Sequence, residues 1–363
     1  MRFLSLRVQN FRNLPLAGFS PGGTCVFIVG GNGAGKTSLL EALGLSGALR
    51  SFRTTEARAM IRHGEKSARV VMTLEQEKES RVGLDIELKI GGKTVFVDGN
   101  PLPRISDMVG RFPTAALSSQ DLQLVRGAPS IRRRFLDMML AEADGKAFDA
   151  MRRFGRALLG RSRLLKAGSD AEIAAFEEPL SLAAAELVAA RRAAIDGLAP
   201  ILKSRYSRVA PESENADLTY RPDIDSDDPD VFRREYEKNR ERDITRGAST
   251  CGPQLDDFEL RLCGRTAREY ASEGQQRGLV LSLRLAEAAW LEERTGIRPV
   301  ILADDILGEL DPVRRAAFWA GLAPDSQVIA TGTSVPAGPS MDRFTIIEIA
   351  SILNQSSETE AAQ

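Results

Sequence analysis

The sequence contains little cysteine and no long apolar run. Its three cysteines, Cys25, Cys251 and Cys263, are odd in number, widely separated and without metal-ligand spacing. This pattern favours a reducing compartment, so we expect the protein in the cytoplasm. No apolar run reaches the ~18 residues of a transmembrane helix. Arg7 and Asn10 interrupt the stretch where a signal peptide would carry its apolar core, so we expect no membrane partner.

The sequence also lacks an excess of positive charge. Lys and Arg number 49 against 50 Asp and Glu, and the 363 residues are 43% hydrophobic and 27% charged, as in ordinary soluble proteins. The charges are unevenly distributed. Residues 131–170 hold ten Lys or Arg against five Asp or Glu, whereas residues 211–245 hold six against twelve. A basic surface on one face is compatible with this pattern, and so are solvated helix faces.

A glycine-rich octapeptide fits the phosphate-loop pattern G-x-x-x-x-G-K-[ST]. An apolar run, Cys25–Val29, precedes it, and helix-forming residues follow it, as the strand–loop–helix context of this motif requires. The predicted nucleotide-binding residues are Gly30, Gly31, Asn32, Gly33, Ala34, Gly35, Lys36, Thr37 and Ser38. Small residues let backbone N–H groups surround a phosphate, Lys36 adds charge, and the Thr37 hydroxyl is a ligand for Mg²⁺.

A second set of acidic residues lies far along the chain. The apolar segment Ile301–Ala303 reads as a buried strand that ends in Asp304 and Asp305. In a phosphate-loop ATPase the first acid lies near Mg²⁺, and the second orients the attacking water, so Asp305 is the predicted catalytic residue. A surface turn carrying two aspartates is the plainer interpretation of these residues alone.

A second anion-directed helix end is predicted at Ser272. Ser272, Gly274 and Gln275 open a strongly periodic helix over residues 273–295, and a serine at such a position can direct its hydroxyl and free N–H groups outward. Two such helix ends in one chain predict a composite site, in which one subunit supplies the phosphate loop and the other supplies the Ser272 helix. Taken alone, Ser272 is better explained as a plain N-cap.

The remaining pattern predicts an α/β protein with a helical insertion. Residues 3–29 read as two strands, and three alternating segments predict an antiparallel β-meander. Residues 130–208 read as helices broken at Pro179 and Pro200, and residues 210–228 as a loop. Further elements are expected as a helix over 230–245, a strand over 298–303, a strand over 327–331 and a disordered tail after residue 354.

Four segments follow from this reading. They are the N-terminal part of a phosphate-loop ATPase head (1–125), a helical insertion domain (126–250), the C-terminal part of the head (251–350) and a tail (351–363). The two parts of the head are expected to meet in space.

These motifs together resemble the ATP-binding-cassette ATPases related to SMC proteins. The resemblance is carried by the S-x-G-Q signature at Ser272, the acidic strand end and the loop Glu309-Leu310-Asp311. Within that superfamily the chain resembles the bacterial RecF family of DNA replication and repair proteins. Supporting segments are Phe11-Arg12-Asn13, Arg50-Ser51-Phe52-Arg53, Ile61-Arg62-His63, Arg132–Asp137 and Gly252-Pro253.

The resemblance implies an ATP-dependent homodimer with two nucleotides held between subunits. Ser272, Gly274 and Gln275 then reach the partner's nucleotide, Asp311 stabilises the interface, and Gln120 contacts metal and water. The dimer is expected to bind single-stranded and gapped duplex DNA without sequence readout and to act with RecR and RecO in loading a recombinase. The basic residues predicted to contact DNA are Arg50, Arg53, Arg132, Arg133 and Arg134. Arg132–Arg134 pairing with the acidic segment 211–245 is the alternative.

Several positions depart from the family pattern. Ser119-Gln120 replaces Pro-Glu, Gln254-Leu255 replaces His-Arg, and Gly308 replaces Ser or Ala. Because His63 is the only histidine, Thr331 or Thr333 is the candidate for contacting the γ-phosphate after the 327–331 strand. The departures concern hydrolysis and subunit contacts more than ATP binding, so the sequence indicates a weak DNA-dependent ATPase.

Two other functions remain open at this point. A phosphate-loop kinase or NTPase acting in cis would need no Ser272 and would work as a monomer. A non-hydrolysing DNA-binding scaffold would explain the departures, although the presence of Lys36, Thr37, Asp304 and Asp305 argues against it. The long coiled-coil members of the superfamily are excluded by the short insertion.

Overall fold

The chain forms two compact units in the computed structural model, which describes residues 1–54, 56–76, 80–167, 170–210, 213–336 and 341–353. The first unit comprises residues 1–121 and 281–363, and the second comprises residues 122–280. The sequence placed the two junctions after residues 125 and 250. The expected disorder after residue 354 falls outside the described residues.

The strands and helices are numbered in chain order. The strands are β1 (Arg2–Phe11), β2 (Leu14–Phe19), β3 (Cys25–Val29), β4 (Ser67–Glu75), β5 (Arg81–Lys89), β6 (Gly92–Val97), β7 (Asn100–Pro101), β8 (Thr114–Ser118), β9 (Ala216–Arg221), β10 (Asp257–Leu262), β11 (Arg265–Thr266), β12 (Val300–Asp304), β13 (Val328–Gly332) and β14 (Thr345–Glu348). The helices are α1 (Lys36–Ala48), α2 (Gln123–Arg126), α3 (Pro129–Ala143), α4 (Gly145–Ala167), α5 (Asp170–Tyr206), α6 (Pro229–Lys238), α7 (Arg240–Arg246), α8 (Ala267–Tyr270), α9 (Glu273–Thr295) and α10 (Pro312–Ala320).

The first unit contains a parallel sheet and an antiparallel sheet. The parallel sheet has the order β14-β3-β13-β12-β8, and its central strands are nearly continuous apolar runs because both of their faces are covered. The antiparallel sheet has the order β2-β1-β4-β5-β6-β7. The expected α/β fold with an antiparallel meander is thus confirmed, but the segment 3–29 contains three strands rather than two.

Helix α1 lies in the core shared by the two sheets. Its residues Leu39, Leu40 and Leu43 join one apolar cluster with Ile28 of the parallel sheet and Val70 of the antiparallel sheet. Almost every residue of α1 is buried, which explains why its sequence is apolar on all sides instead of amphipathic. The other face of the parallel sheet packs against the C-terminal part of α9 and against α10. The phosphate loop is therefore attached to a rigid helix.

The second unit combines helices α2 to α8 and the first turns of α9 with a small antiparallel sheet of order β11-β10-β9. Its interior includes a fully buried arginine, Arg161, which pairs with Asp243 at 2.6 Å and with Glu177 at 3.1 Å. Buried charges require such partners, because an unpaired ion in the interior is costly. This network joins α4, α5 and α7.

Helix α5 corrects one prediction about the prolines. It runs unbroken from Asp170 to Tyr206 with Pro179 and Pro200 inside it. Each proline removes a hydrogen bond to the carbonyl four positions earlier, at Ala175 and Asp196. Both of those residues and both prolines are exposed, so water can satisfy the freed carbonyls while the opposite face stays packed.

Two further predictions of secondary structure were wrong. The acidic segment 210–228 contains β9, whose buried Ala216, Leu218 and Tyr220 alternate with more exposed residues. The single helix expected over 230–245 is two helices that meet at Asn239. The predicted helix over 273–295 is confirmed at both ends.

The three thiols are free and differ in exposure. Cys251 is buried, Cys25 is half-buried, and Cys263 is exposed in the turn between β10 and β11. Burial raises the pKa of Cys25 and raises the pKa of Cys251 to about 12. Within the described residues, no helix is long and apolar enough to cross a membrane.

Candidate functional site

The phosphate loop connects β3 to α1 in the first unit. Gly33 and Gly35 have positive φ angles of 76° and 103°. A Cβ at Gly35 would come within 2.5 Å of Leu14 Cδ2, so the loop requires glycine there for both conformation and space. Because Gly35 is the N-cap residue of α1 and has no side chain to cap it, the first N–H groups of the helix remain available to an anion.

Lys36 is held across the loop by backbone carbonyls. Its Nζ donates to the carbonyl oxygens of Gly30 at 2.7 Å and Gly31 at 2.9 Å, and the residue is buried. The loop is also anchored to β13, because the Gly30 N–H donates to the carbonyl of Gly332 at 3.2 Å. The ammonium group thus sits in the loop without a carboxylate partner among the described residues.

Asp304 joins the loop to the far end of the sequence. Its Oδ1 accepts hydrogen bonds from the Thr37 hydroxyl at 2.9 Å and from the Thr331 hydroxyl at 2.8 Å. Asp304 and Thr331 are paired in the register of the parallel strands β12 and β13, which places both at the carboxyl edge of the sheet. Burial raises the pKa of Asp304, while the two hydroxyl donors and Arg53 oppose the shift.

Asp305 differs from Asp304 in its surroundings. It has a positive φ of 55°, and its N–H donates to the carbonyl of Thr331 at 3.2 Å. This turn leaves Asp305 exposed at the edge of the site. A half-buried carboxylate suited to a cation and an exposed carboxylate suited to water therefore stand next to each other.

The loop and both aspartates line a cavity of about 750 Å³ in the first unit. Asn32, Gly33, Ala34, Gly35, Lys36, Thr37 and Ser38 form its phosphate-loop side. Its other side carries cationic or titratable side chains, which are Arg12, Arg53, Arg58 and His63. A cavity of this size with a basic wall fits a charged nucleotide.

A fully buried carboxylate, Glu41 of α1, organises that basic wall. Arg12 donates to Glu41 in a bidentate pair at 2.8 and 2.5 Å, and the Ser51 hydroxyl also donates to it. Arg53 Nη1 approaches Glu41 Oε2 at 3.4 Å. Arg12 Nη1 also donates to the Ala59 carbonyl at 2.6 Å, so one guanidinium ties the β1–β2 turn to α1 and to the following segment.

Asn13 supports the phosphate loop from the β1–β2 turn. Its Nδ2 donates to the Gly33 carbonyl at 2.8 Å, and its Oδ1 accepts from the Ser38 hydroxyl at 2.7 Å. Arg12, Asn13, Glu41, Arg58 and His63 were absent from the predicted site. The only sequence signal was that Phe11-Arg12-Asn13 and Ile61-Arg62-His63 belong to the family resemblance, since no local pattern places them at the loop.

Gln120 is not among the residues that line the cavity. It is exposed in a 3-10 turn, Ser119–Leu122, directly after β8. The last residue of β8, Ser118, is paired with Asp304 in the sheet. Gln120 therefore comes just after a strand that ends at the same edge of the sheet as Asp304. Asp121 beside it is buried and accepts from Arg284 at 2.6 and 3.0 Å, which fixes the turn.

The predicted signature residues lie in the second unit and form a capping box. The Ser272 hydroxyl accepts from the Gln275 N–H at 3.3 Å, and the Ser272 N–H donates to Gln275 Oε1 at 2.7 Å. Gln275 Nε2 also donates to Glu214 at 2.9 Å. Gly274 lies between them in the first turn of α9. The serine is therefore a plain N-cap in this conformation, although it is exposed.

Asp311 is likewise an N-cap. Its side chain accepts from the Arg314 N–H at 2.9 Å at the start of α10 and also pairs with the Arg314 guanidinium. Thr331, one of the two threonines considered as γ-phosphate contacts, donates its hydroxyl hydrogen bond to Asp304, as described above.

The residues predicted to contact DNA are in different environments. Arg53 lines the cavity beside the phosphate loop. Arg132 is buried and pairs with Asp257 at 2.7 and 2.8 Å. Its guanidinium is therefore not available to DNA, contrary to the prediction. Its partner is not in the acidic segment 211–245. Arg133 donates to the Asp256 carbonyl at 2.7 Å, and Arg50 and Arg134 are partly exposed.

At the departure from the family's His-Arg pair, Gln254 bonds within its own turn. Gln254 Nε2 donates to the Cys251 carbonyl at 2.6 Å, and Leu255 is 46% exposed.

The oxygen ligands at Thr37 and Asp304 fit Mg²⁺. A hydroxyl and one carboxylate are the small set of hard ligands that Mg²⁺ uses when nucleotide phosphates and water supply the rest. Among the described residues no cluster of three or more acidic, histidine or cysteine side chains could hold a metal alone. The site is therefore suited to a metal that arrives with a nucleotide.

Comparison with known proteins supplies relatives over nearly the whole chain. The family described as "RecF/RecN/SMC N terminal domain" matches residues 3–350. The DNA replication and repair protein RecF of Myxococcus xanthus is 35% identical over 348 residues, covering 92% of this chain and 91% of that protein. RecF of Heliobacterium modesticaldum is 34% identical and covers 91% of both.

A solved structure of "the recombination mediator protein RecF-ATP in RecFOR pathway" is also similar. It has a TM-score of 0.82 and 26% identity and covers 92% of each chain.

Proposed function

This chain belongs to the RecF/RecN/SMC family, and from that premise we propose that it is an ATP-binding and DNA-binding protein of DNA replication and repair. The observation that carries the proposal is the Thr37–Asp304 hydrogen bond of 2.9 Å, which unites the phosphate loop with a strand end 267 residues away. The likeness to a structure named for RecF with ATP supports ATP as the nucleotide.

The first unit supplies the groups that would bind ATP and Mg²⁺. Lys36 leaves its two carbonyl partners to neutralise the β- and γ-phosphates, and the free N–H groups at the start of α1 bind phosphate oxygens. Thr37 and Asp304 hold Mg²⁺, which when bound shields the phosphate charge. Arg53, on the opposite wall, is assigned to the nucleotide instead of DNA because it lines the cavity and lies close enough to lower the pKa of Asp304.

Hydrolysis is assigned to Asp305. Its exposed carboxylate at the cavity edge can orient a water toward the γ-phosphate, and Gln120, which follows the same edge of the sheet, contacts that water or the metal. The absence of His-Arg at Gln254-Leu255 is consistent with slow turnover.

We propose further that ATP drives formation of a homodimer. Ser272, Gly274 and Gln275 of one subunit then bind the γ-phosphate held by the other, and Asp311 contributes to the interface. The capping box must open for this, because Ser272 and Gln275 bond each other. In this proposal the dimer binds gapped DNA, acts with RecR and RecO in loading a recombinase, and is reset by hydrolysis.

A cis-acting NTPase is the second candidate, and one observation favours it. Ser272 and Gln275 already have partners within their own chain, and a cis enzyme would leave them so. A non-hydrolysing scaffold has less support, because Lys36, Thr37 and both aspartates are in place around the cavity.

Sedimentation of the Asp305→Asn protein with and without ATP–Mg²⁺ distinguishes these functions. This substitution spares binding and stalls hydrolysis, so we expect a monomer without ATP and a dimer with it. Adding Ser272→Arg should abolish the dimer, whereas the control Ser204→Arg, an exposed serine of the same unit, should not. A monomer at every ATP concentration would support the cis enzyme.

The DNA-binding half is tested with Lys36→Ala. Fluorescence anisotropy of a labelled gapped duplex should show ATP-dependent binding by the native chain and none by this variant. Binding that persists in Lys36→Ala, with the same affinity, would eliminate ATP as the switch.

A further inference from the structure

Helix α4 carries an exposed basic stripe. Arg152, Arg156, Arg163 and Lys166 are all exposed and follow one another at intervals of four, seven and three residues. Because helical residues separated by three, four or seven positions share a face, these four side chains lie along one side of α4. At ~1.5 Å per residue the stripe is about 21 Å long.

Acidic residues are absent from most of the length of the stripe. Residues 150–167 include six Lys or Arg and no Asp or Glu. Three of the six form ion pairs, since Arg161 is buried with Asp243 and Glu177, Arg153 pairs with Glu186, and Arg152 lies 3.6 Å from Asp149 at the start of the helix. In the part of the chain that the structure describes, Arg156, Arg163 and Lys166 form no ion pair. A surface helix of a near-neutral protein usually mixes both signs.

The basic surface continues onto α7. The position that a Cβ would take at Gly247 lies 3.4 Å from Lys166 Cγ, so the end of α7 adjoins the end of α4. Arg246, the residue before this glycine, is also exposed. The opposite face of α4 is apolar and packed in the core, which fixes the direction of the stripe.

We infer that this stripe of α4, extended by Arg246, is a contact site for the phosphates of DNA, an inference that rests on the DNA binding proposed above. A linear array of mostly arginine side chains matches a phosphate backbone, since guanidinium groups bind phosphate oxygens in bidentate geometry. Leu159, 54% exposed in the middle of the stripe, offers no base readout, so binding here is independent of sequence.

This site replaces Arg132 as the basic contact of the second unit. Arg132 lies on α3 and is committed to Asp257, whereas Arg156, Arg163 and Lys166 of α4 form no ion pair among the described residues. An acidic protein partner, using Leu159 as an apolar anchor, is the competing occupant.

The test measures the salt dependence of DNA affinity. Each phosphate contact adds ~0.9 to the slope of log affinity against log salt concentration on duplex DNA. The full chain is titrated with a labelled 30-base-pair duplex, ATP and Mg²⁺ between 50 and 200 mM salt, as wild type and as Arg156→Gln/Arg163→Gln. The expected slope of the double variant is smaller by about 1.8, so wild type loses about 12-fold more affinity than the variant over this range.

A matched double variant controls for net charge. Lys203→Gln and Arg234→Gln also remove two exposed cations from the second unit, on α5 and α6, and should leave the slope unchanged. Equal slope changes in both doubles would reduce the effect to net charge and overturn the inference. An unchanged slope in the stripe variant would overturn it too and favour a protein partner. If the wild-type chain binds no DNA, the proposed DNA-binding function is refuted together with this inference. The two outcomes above refute only the inference about the stripe.

Discussion

The buried pair of Arg12 and Glu41 should be among the most strongly coupled pairs in the first unit. Glu41 is fully buried, and the Arg12 side chain is 18% exposed. We consider Arg12→Met, Glu41→Leu and the double variant. Each single change leaves one charge in the interior without its principal partner, whereas the double change removes both charges.

The size of the effect follows from these contacts. Breaking a buried ion pair from one side costs about 3–5 kcal/mol, and replacing both partners with apolar residues is nearly neutral. Arg12→Met also deprives the Ala59 carbonyl of its donor, at about 1 kcal/mol. Glu41→Leu costs less than Arg12→Met, because Arg12 can reach some water. The double variant should therefore be more stable than the sum of the singles by about 3 kcal/mol or more.

Tryptophan fluorescence during urea unfolding measures this coupling selectively. The sequence has two tryptophans, Trp290 and Trp319, and both belong to the first unit. The signal thus reports unfolding of the unit that contains the pair, independently of the second unit.

An exposed pair in the same unit is the control. Arg69 and Asp85 form a similar bidentate contact, with the shortest distance 2.6 Å, but the Arg69 side chain is 58% exposed. Its coupling energy should be below about 1 kcal/mol. The losses of unfolding free energy in Arg12→Met and Glu41→Leu are summed and compared with the loss in the double variant. If the sum agrees with the double variant within about 0.5 kcal/mol, the argument that burial couples the pair is refuted.

Three other variants test separate features. Burial, with repulsion from Arg50, lowers the pKa of Lys93 to about 8. Between that pH and ~10.4 the unfolded chain holds more protons, so the unfolding free energy of the first unit should rise with pH by up to about 3 kcal/mol, and Lys93→Met should flatten this rise in urea titrations. Because burial raises the pKa of Asp304, folding disfavours its ionised form relative to the unfolded chain; Asp304→Asn should melt no lower than wild type by fluorescence but lose the melting-temperature increase that ATP–Mg²⁺ gives. Arg132→Gln should lower the stability of the second unit by about 2–3 kcal/mol in circular dichroism and leave the DNA salt slope unchanged, whereas a fall of ~0.9 would restore it as a DNA contact.

The sequence predicted the parts of the site that follow from local pattern. The phosphate loop and the acidic strand end were recognised separately, and parallel strands necessarily bring their carboxyl ends to one edge, so the proximity of Thr37 and Asp304 was foreseeable. Arg58 and His63 were not foreseeable, because they reach the cavity from the connection between α1 and β4, which Arg12 holds through its bond to the Ala59 carbonyl.

Two of the wrong predictions have a common physical origin. Proline and acidic residues were taken as breakers of regular structure, but both effects depend on burial. Pro179 and Pro200 lie on the exposed face of α5, where the lost hydrogen bonds are exchanged with water. In β9 the buried residues alternate with the outward-facing ones, and this alternation outweighs the acidic surroundings. Tertiary packing, which no local window contains, decided both cases.

The unequal exposure of the three thiols makes the native chain a ready substrate for single-site labelling. Burial raises the pKa values of Cys25 and Cys251 and so favours the less reactive thiol form of each, and Cys251 is also buried. A maleimide dye should therefore attach to exposed Cys263, nine positions before Ser272. One fluorophore per chain, placed in the unit that holds the signature serine, would let self-association be followed by energy transfer between differently labelled copies without altering any residue.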